Sequence, residues 1–241
     1  MIPTSSIFLL ATTFCTLQQV VWSRVIIEFK FLSYSDNCRE DARTNKCDPK
    51  FKFCLDRPRA SSNIFPCYYG YTTESGHYQN TNYINLGALS NIKGIPNPWI
   101  LSASKLMDPS VFLVLQVRDD DYLGKDDHLQ TWGTTLRETV YPSKINAPWN
   151  NKVTASGSHR LTFQIRIYCE DGYYNTDCAT HCFAADNYRG HYTCDPINGA
   201  KVCMQGWTGP DCKEDINECS LNYCVRGICE NLEAGYKCDC P

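Results

Sequence analysis

Residues 169–212 read CEDGYYNTDCATHCFAADNYRGHYTCDPINGAKVCMQGWTGPDC, with six cysteines and few aliphatic side chains. A segment this small cannot bury a sufficient core of its own. Disulfides must therefore restrict its unfolded state, each by about 2–4 kcal/mol. Residues 213–241 hold five more cysteines and have the same need. The sequence thus predicts two small disulfide-rich modules in succession.

The cysteine content also indicates the compartment. The chain has 16 cysteines in 241 residues. Because the reducing cytosol would keep so many cysteines as free thiols, we expect an oxidising, extracellular location. The net charge of -3 gives no indication of nucleic acid or of a bulk anionic surface as partner. Cys38, Cys47, Cys54 and Cys67 form the first group, and about 100 residues without cysteine follow.

The N-terminal segment resembles a secretion signal. Residues 7–22 are mostly apolar, and the first charge after them is Arg24. We predict a signal peptide over residues 1–23, which removes Cys15 and leaves an odd number of cysteines. The alternative is an uncleaved N-terminal anchor, but the run is short and contains Thr and Gln. The odd cysteine suggests that the partner of Cys240 lies in a longer protein, whose membrane anchor, if it has one, follows Pro241.

Residues 24–168 show a β pattern. Strand-like segments run over residues 25–31, 111–117 and 161–168, and the last alternates apolar and polar side chains. Turn-forming residues separate such segments, and no long helical stripe is present. An antiparallel sandwich of about eight strands fits this stretch.

The motifs of the cysteine-rich part resemble a known module. Tyr173-Tyr174, the run Gly190-His191-Tyr192-Thr193-Cys194-Asp195 and the run 203–212 (CMQGWTGPDC) resemble the DSL module of Delta/Serrate/Jagged Notch ligands, the Jagged branch above all. Upstream, residues 47–55 (CDPKFKFCL) look like the N-terminal C2-like domain of these ligands. Downstream, residues 213–241 look like an EGF repeat. The resemblance implies a mostly β chain: a C2-like antiparallel β-sandwich (24–168), a DSL module (169–212) and a truncated EGF module of the calcium-binding type (213–241).

The resemblance also implies the disulfide pairing. The expected bridges are Cys38–Cys47, Cys54–Cys67, Cys169–Cys178, Cys182–Cys194, Cys203–Cys212, Cys219–Cys229 and Cys224–Cys238. Six cysteines alone would leave fifteen pairings open. The alternative use of these residues is a zinc site built from Cys178, Cys182, His181 and His191, which an oxidising compartment disfavours.

Calcium is the cofactor that we expect, at one or two sites. In the EGF repeat, the family pattern implies side-chain oxygens from Asp215, Glu218 and Asn231 and carbonyl oxygens from Ile216 and Leu232, a set of hard ligands that suits calcium. The alternative is an exposed acidic linker before an ordinary EGF repeat. A bound ion would stiffen the joint between the DSL module and the repeat.

A second acidic cluster follows a strand of the sandwich. Asp119, Asp121 and Asp127 have the spacing of a C2 calcium loop, with Asp36 and Asp41 as weaker candidates from another loop. Calcium at this tip would also suggest phospholipid head groups as a partner. The alternative is a solvated acidic hairpin.

The resemblance implies that Notch receptor EGF repeats are the partner, bound by the sandwich tip and one face of the DSL module. Binding hot spots favour aromatic and arginine side chains. The candidates are Phe183, Tyr188, Arg189, His191 and Tyr192, together with Tyr173 and Tyr174. Trp207 is expected to pack the small core of the module instead.

The sequence departs from the family pattern inside this loop. Jagged-type ligands carry a C-R-x-R-D-D-x-F-G-H-Y run, whereas here Phe183 and Ala185 replace the two arginines and Arg189 replaces the aromatic before the glycine. The scaffold is kept while the family's charge-assisted contacts are absent.

Catalysis has no support in the sequence. The five histidines form no H-E-x-x-H motif, and neither G-x-S-x-G nor a phosphate loop occurs, so we predict neither an enzyme nor a small-molecule substrate. The leading hypothesis is a Notch ligand, the ectodomain of a cell-surface protein acting in cell–cell communication and development. The alternatives are a secreted calcium-dependent matrix or adhesion protein, a non-activating Notch antagonist, and a lipid-binding sandwich with an EGF spacer.

Overall fold

The structure, a computed structural model, describes residues 24–38, 46–106, 108, 110–120, 126–221 and 223–240. The predicted signal peptide lies outside these residues. Apart from one short 3-10 helix, Glu218–Leu221, the regular secondary structure of the described part of the chain is β-strand. None of its helices has the length and apolar content needed to cross a membrane.

Twelve strands belong to the N-terminal domain within the described residues. They are β1 (Val25–Ser35), β2 (Pro49–Asp56), β3 (Gly70–Tyr71), β4 (Tyr83–Asn85), β5 (Asn91–Ile92), β6 (Ile95–Pro96), β7 (Trp99–Ala103), β8 (Ser110–Asp119), β9 (His128–Arg137), β10 (Val140–Tyr141), β11 (Asn150–Ser156) and β12 (His159–Cys169). The segments predicted as strands at 25–31, 111–117 and 161–168 lie in β1, β8 and β12.

These strands form the two layers of a sandwich. One sheet has the order β10-β12-β1-β4, with β11 next to β12 and β7 next to β1. The other has the order β3-β2-β8-β9, and β5 pairs with β6 as a separate small ribbon. The predicted antiparallel sandwich is confirmed, except that β10 runs parallel to β12.

Alternation along the strands builds the core. Phe163, Ile165 and Ile167 of β12 are buried on one face and meet the buried side chains of β1, among them Phe29 and Phe31. The ring of Phe31 stacks on Phe53 of the opposite sheet at a centroid distance of 4.1 Å. Offset aromatic pairs of this kind add to the stabilisation from burial alone.

Strand β8 is apolar on both faces for a structural reason. Its alternate residues Leu113 and Leu115 point into the main core, whereas Phe112 and Val114 form a second cluster with Cys54. Ile64 and Cys67 cover this second cluster. A loop held by the Cys54–Cys67 bridge thus protects the outer face of the strand.

A charged network is buried between β1 and β12. Glu28 is 1% exposed and accepts hydrogen bonds from Arg166 Nε (2.7 Å) and the Tyr168 hydroxyl (2.6 Å). Lys144 Nζ lies 3.0 Å from the same carboxylate. Burial alone would raise the pKa of Glu28, but the donors Tyr168, Arg166 and Lys144 outweigh it and lower that pKa.

The C-terminal third contains short strands held by disulfides. They are β13 (Tyr173–Tyr174), β14 (Thr180–His181), β15 (Ala185–Asn187), β16 (Gly190–Cys194), β17 (Lys201–Cys203), β18 (Trp207–Thr208), β19 (Glu214–Asp215), β20 (Ile228–Leu232) and β21 (Gly235–Asp239). The structure joins Cys38–Cys47, Cys54–Cys67, Cys169–Cys178, Cys182–Cys194, Cys203–Cys212, Cys219–Cys229 and Cys224–Cys238. These are the seven pairs that the resemblance implies, and Cys178 and Cys182 are therefore not zinc ligands.

The first small module continues directly from the sandwich. Strand β12 ends at Cys169, so no linker separates the two. Cys178 is fully buried within the sandwich core cluster, and Tyr173 packs against that cluster. The module therefore uses the sandwich as part of its support, and the predicted boundary at 168/169 falls inside β12.

Candidate functional site

A two-residue hairpin loop presents an aromatic side chain and an arginine. Strands β15 and β16 pair up to Asn187 and Gly190, which leaves Tyr188 and Arg189 at the tip. Tyr188 is 83% exposed, and Arg189 Nε donates a hydrogen bond to its hydroxyl at 3.2 Å. Gly190 has φ +139°, and a Cβ there would overlap the carbonyl oxygen of Asp211, so the turn requires glycine. The side chains of Tyr188 and Arg189 are therefore exposed and do not stabilise the fold of the module.

Three aromatic rings lie on the segments that come just before this hairpin in the chain. Tyr173 and His181 face each other across β13 and β14 with ring centroids 4.9 Å apart, and His181 meets Phe183 edge-to-face at 4.9 Å. Phe183 is 58% exposed, and its ring rests on Gly172, where a Cβ would collide with it. The rings form an exposed aromatic wall.

The other three candidates serve the module itself. Tyr192 is buried with Cys182 and Cys212 in the small core, and Tyr174 packs on the same cluster and against Gly199. His191 stacks on Trp207 at 3.7 Å and pairs through Nδ1 with Asp186. Trp207 packs against the small core, as expected. The exposed candidates are therefore Phe183, Tyr188 and Arg189.

The residues expected to hold calcium in the EGF repeat are brought together. Asp215 accepts hydrogen bonds from Asn231 Nδ2 (2.7 Å) and the Ala234 amide (2.6 Å). Asn231 Oδ1 accepts one from the Glu218 amide at 3.2 Å. Glu218 is 8% exposed, and its Oε2 has no hydrogen-bond partner. Because a buried carboxylate oxygen without a partner is costly, this donor set fits a hard cation.

The two residues expected to supply carbonyl oxygens, Ile216 and Leu232, directly follow Asp215 and Asn231 in the chain. Ile216 follows β19, and its amide donates to the carbonyl oxygen of Gly206 at 2.8 Å. Leu232 ends β20 and pairs with Gly235. A Cβ on Gly206 would overlap the backbone of Ala234, so the hairpin of the EGF repeat presses directly on the preceding module. The candidate site thus lies at the joint between the two modules.

At the sandwich tip, basic side chains already neutralise the acidic cluster. Lys50 Nζ lies 2.7 Å from Asp126 and also pairs with Asp120. Burial alone would lower the pKa of Lys50, but the hydrogen bonds and charges of Asp120 and Asp126 outweigh it and raise that pKa. His77 Nδ1 lies 2.6 Å from the Asp120 carboxylate. The tip resembles an ion-paired cluster more than an open cage of oxygens.

The predicted ligands at this tip are only partly described. Asp119 is buried and accepts a hydrogen bond from the Asp48 amide at 2.6 Å, and the Asp127 carbonyl oxygen accepts one from the Asp119 amide at 2.8 Å. Asp36 lies beside His159 and accepts a hydrogen bond from the Cys38 amide. Asp121 and Asp41 lie outside the described residues. In the described part of the chain no three His, Cys, Asp or Glu side chains are grouped to hold a metal.

Comparison with known proteins decides the family. Residues 169–215 match the family model described as "Delta serrate ligand". The chain belongs to the Delta/Serrate ligand (DSL) family. The match extends three residues past the predicted end of the DSL module and includes β19, whose Asp215 pairs with Trp207 of β18.

Two human DSL relatives show how much of the family architecture is covered. Protein jagged-1 of Homo sapiens is 30% identical over 71% of this chain and 14% of its own length. Protein jagged-2 of Homo sapiens is 40% identical over 80% of this chain and 17% of its own length. The chain therefore spans less than a fifth of the length of these relatives.

A solved structure supports the order of the modules. The structure described as "Drosophila C2-DSL-EGF1" aligns with 90% of this chain and 96% of its own, with a TM-score of 0.64 and 22% identity. At that identity the likeness shows the fold, which is a C2-like sandwich followed by a DSL module and an EGF module.

Proposed function

We propose that this DSL-family chain is an extracellular ligand that binds EGF repeats of a Notch receptor and regulates Notch signalling between cells. The observation that carries the proposal is the hairpin tip, where Tyr188 and Arg189 are exposed on a disulfide-fixed loop. Aromatic and arginine side chains of this kind dominate the energetics of protein interfaces. We further propose that the sandwich tip contributes a second contact and that the chain acts as the ectodomain of a cell-surface protein.

The proposal is tested by direct binding. The chain, secreted from cells so that its disulfides form, is immobilised and exposed to a Notch receptor ectodomain in calcium. We expect saturable binding that free chain in solution competes away. A receptor ectodomain that is correctly folded yet shows no saturable binding would contradict the proposal and favour an adhesion or matrix role.

We also propose that calcium binds the EGF joint through Asp215, Glu218 and Asn231, with Ile216 and Leu232 supplying carbonyl oxygens. The support is the unpartnered Oε2 of the buried Glu218 and the two neighbouring oxygen-bearing side chains. A bound ion would compensate that oxygen and would fix the EGF hairpin against Gly206. Its role would be to hold the modules in one orientation for the receptor.

Replacing Glu218 by Gln is expected to remove the calcium-dependent part of the stability of this joint. In the unmodified chain, saturating calcium should raise the melting temperature by several degrees, because a ligand at 100 times its Kd stabilises by about 2.7 kcal/mol. The effect should vanish in Glu218→Gln. The matched control is Glu230→Gln, which removes an exposed carboxylate next to Asn231 and should leave the calcium response intact. An equal calcium response in all three proteins would contradict the assignment.

Calcium and phospholipid at the sandwich tip remain predictions. Asp120 and Asp126 at this tip are already paired with Lys50. Asp121, which the predicted calcium site requires, lies outside the described residues. Liposome binding that depends on calcium and is lost in Asp119→Asn would support calcium and phospholipid binding at the sandwich tip.

A further inference from the structure

A cleft on the DSL module combines aromatic rings with carboxylates. It has a volume of about 540 Å³ and is lined by Glu170, Asp171, Tyr173, His181 and Phe183. The three rings are the aromatic wall described above, and the two acidic side chains stand at its edge. The faces of aromatic rings carry negative electrostatic potential, so rings and carboxylates together favour a cation.

The carboxylates of the cleft are available to a ligand. Within the described residues, no ion pair joins Glu170 or Asp171 to a basic side chain, whereas most acids of the sandwich tip are paired. Asp171 is exposed and Glu170 is half-buried. Neither carboxylate therefore has an ion-pair partner among the described residues, and the one cation at this wall is Arg24, whose guanidinium carbon lies 5.4 Å from the Tyr173 ring centroid.

The cleft is also held in a fixed shape. The Cys169–Cys178 and Cys182–Cys194 bridges close the segments that carry its walls. The Cys182 amide donates to the Gly172 carbonyl oxygen at 2.9 Å, which places Phe183 directly over Gly172. A preformed cleft loses little conformational entropy when a ligand enters, so weak contacts translate more fully into affinity.

We propose that this cleft is a binding site for an arginine side chain presented by the partner protein. This inference rests on the proposed function and names what the receptor would contribute at this face. A guanidinium is planar, stacks on aromatic rings and donates paired hydrogen bonds to a carboxylate, which matches both components of the wall. The chain already shows the first of these contacts, since the guanidinium carbon of Arg24 lies 5.4 Å from the Tyr173 ring centroid.

Charge complementarity selects this occupant over an apolar one. An apolar side chain would bury against the rings but would leave Glu170 and Asp171 facing it without partners. A guanidinium satisfies the carboxylates and retains the contact with the rings. A neutral isostere of arginine therefore separates the two cases.

The test is a titration of the chain, with its Phe, Tyr and His rings isotope-labelled, with two short peptides. The first is acetyl-Gly-Arg-Gly-amide, and the second replaces arginine by the uncharged citrulline. We expect the arginine peptide to shift the ring signals of His181 and Phe183 saturably at millimolar concentration, with an affinity roughly tenfold above that of the citrulline peptide. Asp171→Asn and Phe183→Leu should each weaken the arginine peptide roughly three- to tenfold.

Ile197→Ala is the matched control, because it removes an exposed apolar side chain of the same module that does not line the cleft, and it should leave the titration unchanged. Equal responses to the two peptides, no saturable shift, or full retention of binding in Asp171→Asn/Phe183→Leu would overturn the inference. The titration contains no receptor, so its failure leaves the proposed function standing. Conversely, the titration can still be interpreted if the receptor ectodomain does not bind.

Discussion

Replacing Tyr188 and Arg189 together by alanine is expected to weaken binding of the Notch receptor ectodomain by about 100-fold or more. Hot-spot residues each contribute about 2 kcal/mol or more, and 1.4 kcal/mol corresponds to a tenfold change in affinity. The two side chains share the tip of one hairpin, and Arg189 hydrogen-bonds the Tyr188 hydroxyl. Affinity of the double variant, measured in calcium against the unmodified chain, checks this expectation.

The double variant should fold normally, which makes its loss of binding interpretable. Neither side chain takes part in the small core, and the turn itself depends on Gly190. Ile197→Ala is the matched control, since Ile197 is 72% exposed in another loop of the same module. Unchanged affinity in the double variant, or an equal loss in Ile197→Ala, would contradict the placement of the binding surface at the hairpin tip.

Arg166→Met is expected to lower the free energy of unfolding of the sandwich by about 3–5 kcal/mol, because it leaves the buried Glu28 carboxylate without its main cation. Arg166 also stacks on Trp149, with its guanidinium carbon 4.2 Å from the ring centroid, so this packing is lost too. Urea unfolding with intact disulfides, followed by tryptophan fluorescence, measures the change.

Two further variants separate the buried charge from general damage. Glu28→Leu/Arg166→Met removes both charges and should recover most of the lost stability, since apolar replacement of a buried ion pair is often neutral. Lys144→Ala removes a partner whose side chain is 57% exposed and should cost less than about 1 kcal/mol. If the double variant is as unstable as Arg166→Met, the buried charge is not the cause.

The sequence predicted the strands with the clearest patterns, at 25–31, 111–117 and 161–168, which lie in β1, β8 and β12. Alternation over 161–168 identified β12, because one face of that strand meets the core and the other meets polar neighbours. The short strands and the parallel pairing of β10 were not predictable, since two-residue ladders depend on tertiary contacts and leave no period in the sequence. The continuous apolar run of β8 gave no sign of the loop that covers its outer face.

The candidate surface was only partly predictable, because residue type does not determine burial in a module this small. Tyr192 and His191 looked like binding residues by composition, yet one fills the core under two disulfides and the other stacks on Trp207. Lys50 was missed at the sandwich tip, since it lies 69 residues before Asp119 and meets the acidic cluster only across the β2–β8 pair. The cleft formed by Tyr173, His181 and Phe183 likewise depends on a bend at Gly172 that no spacing rule indicates.

The most direct test of the central claim is hydrogen–deuterium exchange of the chain with and without the Notch receptor ectodomain. A bound receptor should slow amide exchange in the hairpin around Tyr188 and Arg189 and in the segment around Phe183. It should leave the EGF strand β20 and the interior of the sandwich unchanged. Protection confined to other surfaces of the chain, with the hairpin exchanging as in the free protein, would contradict the account.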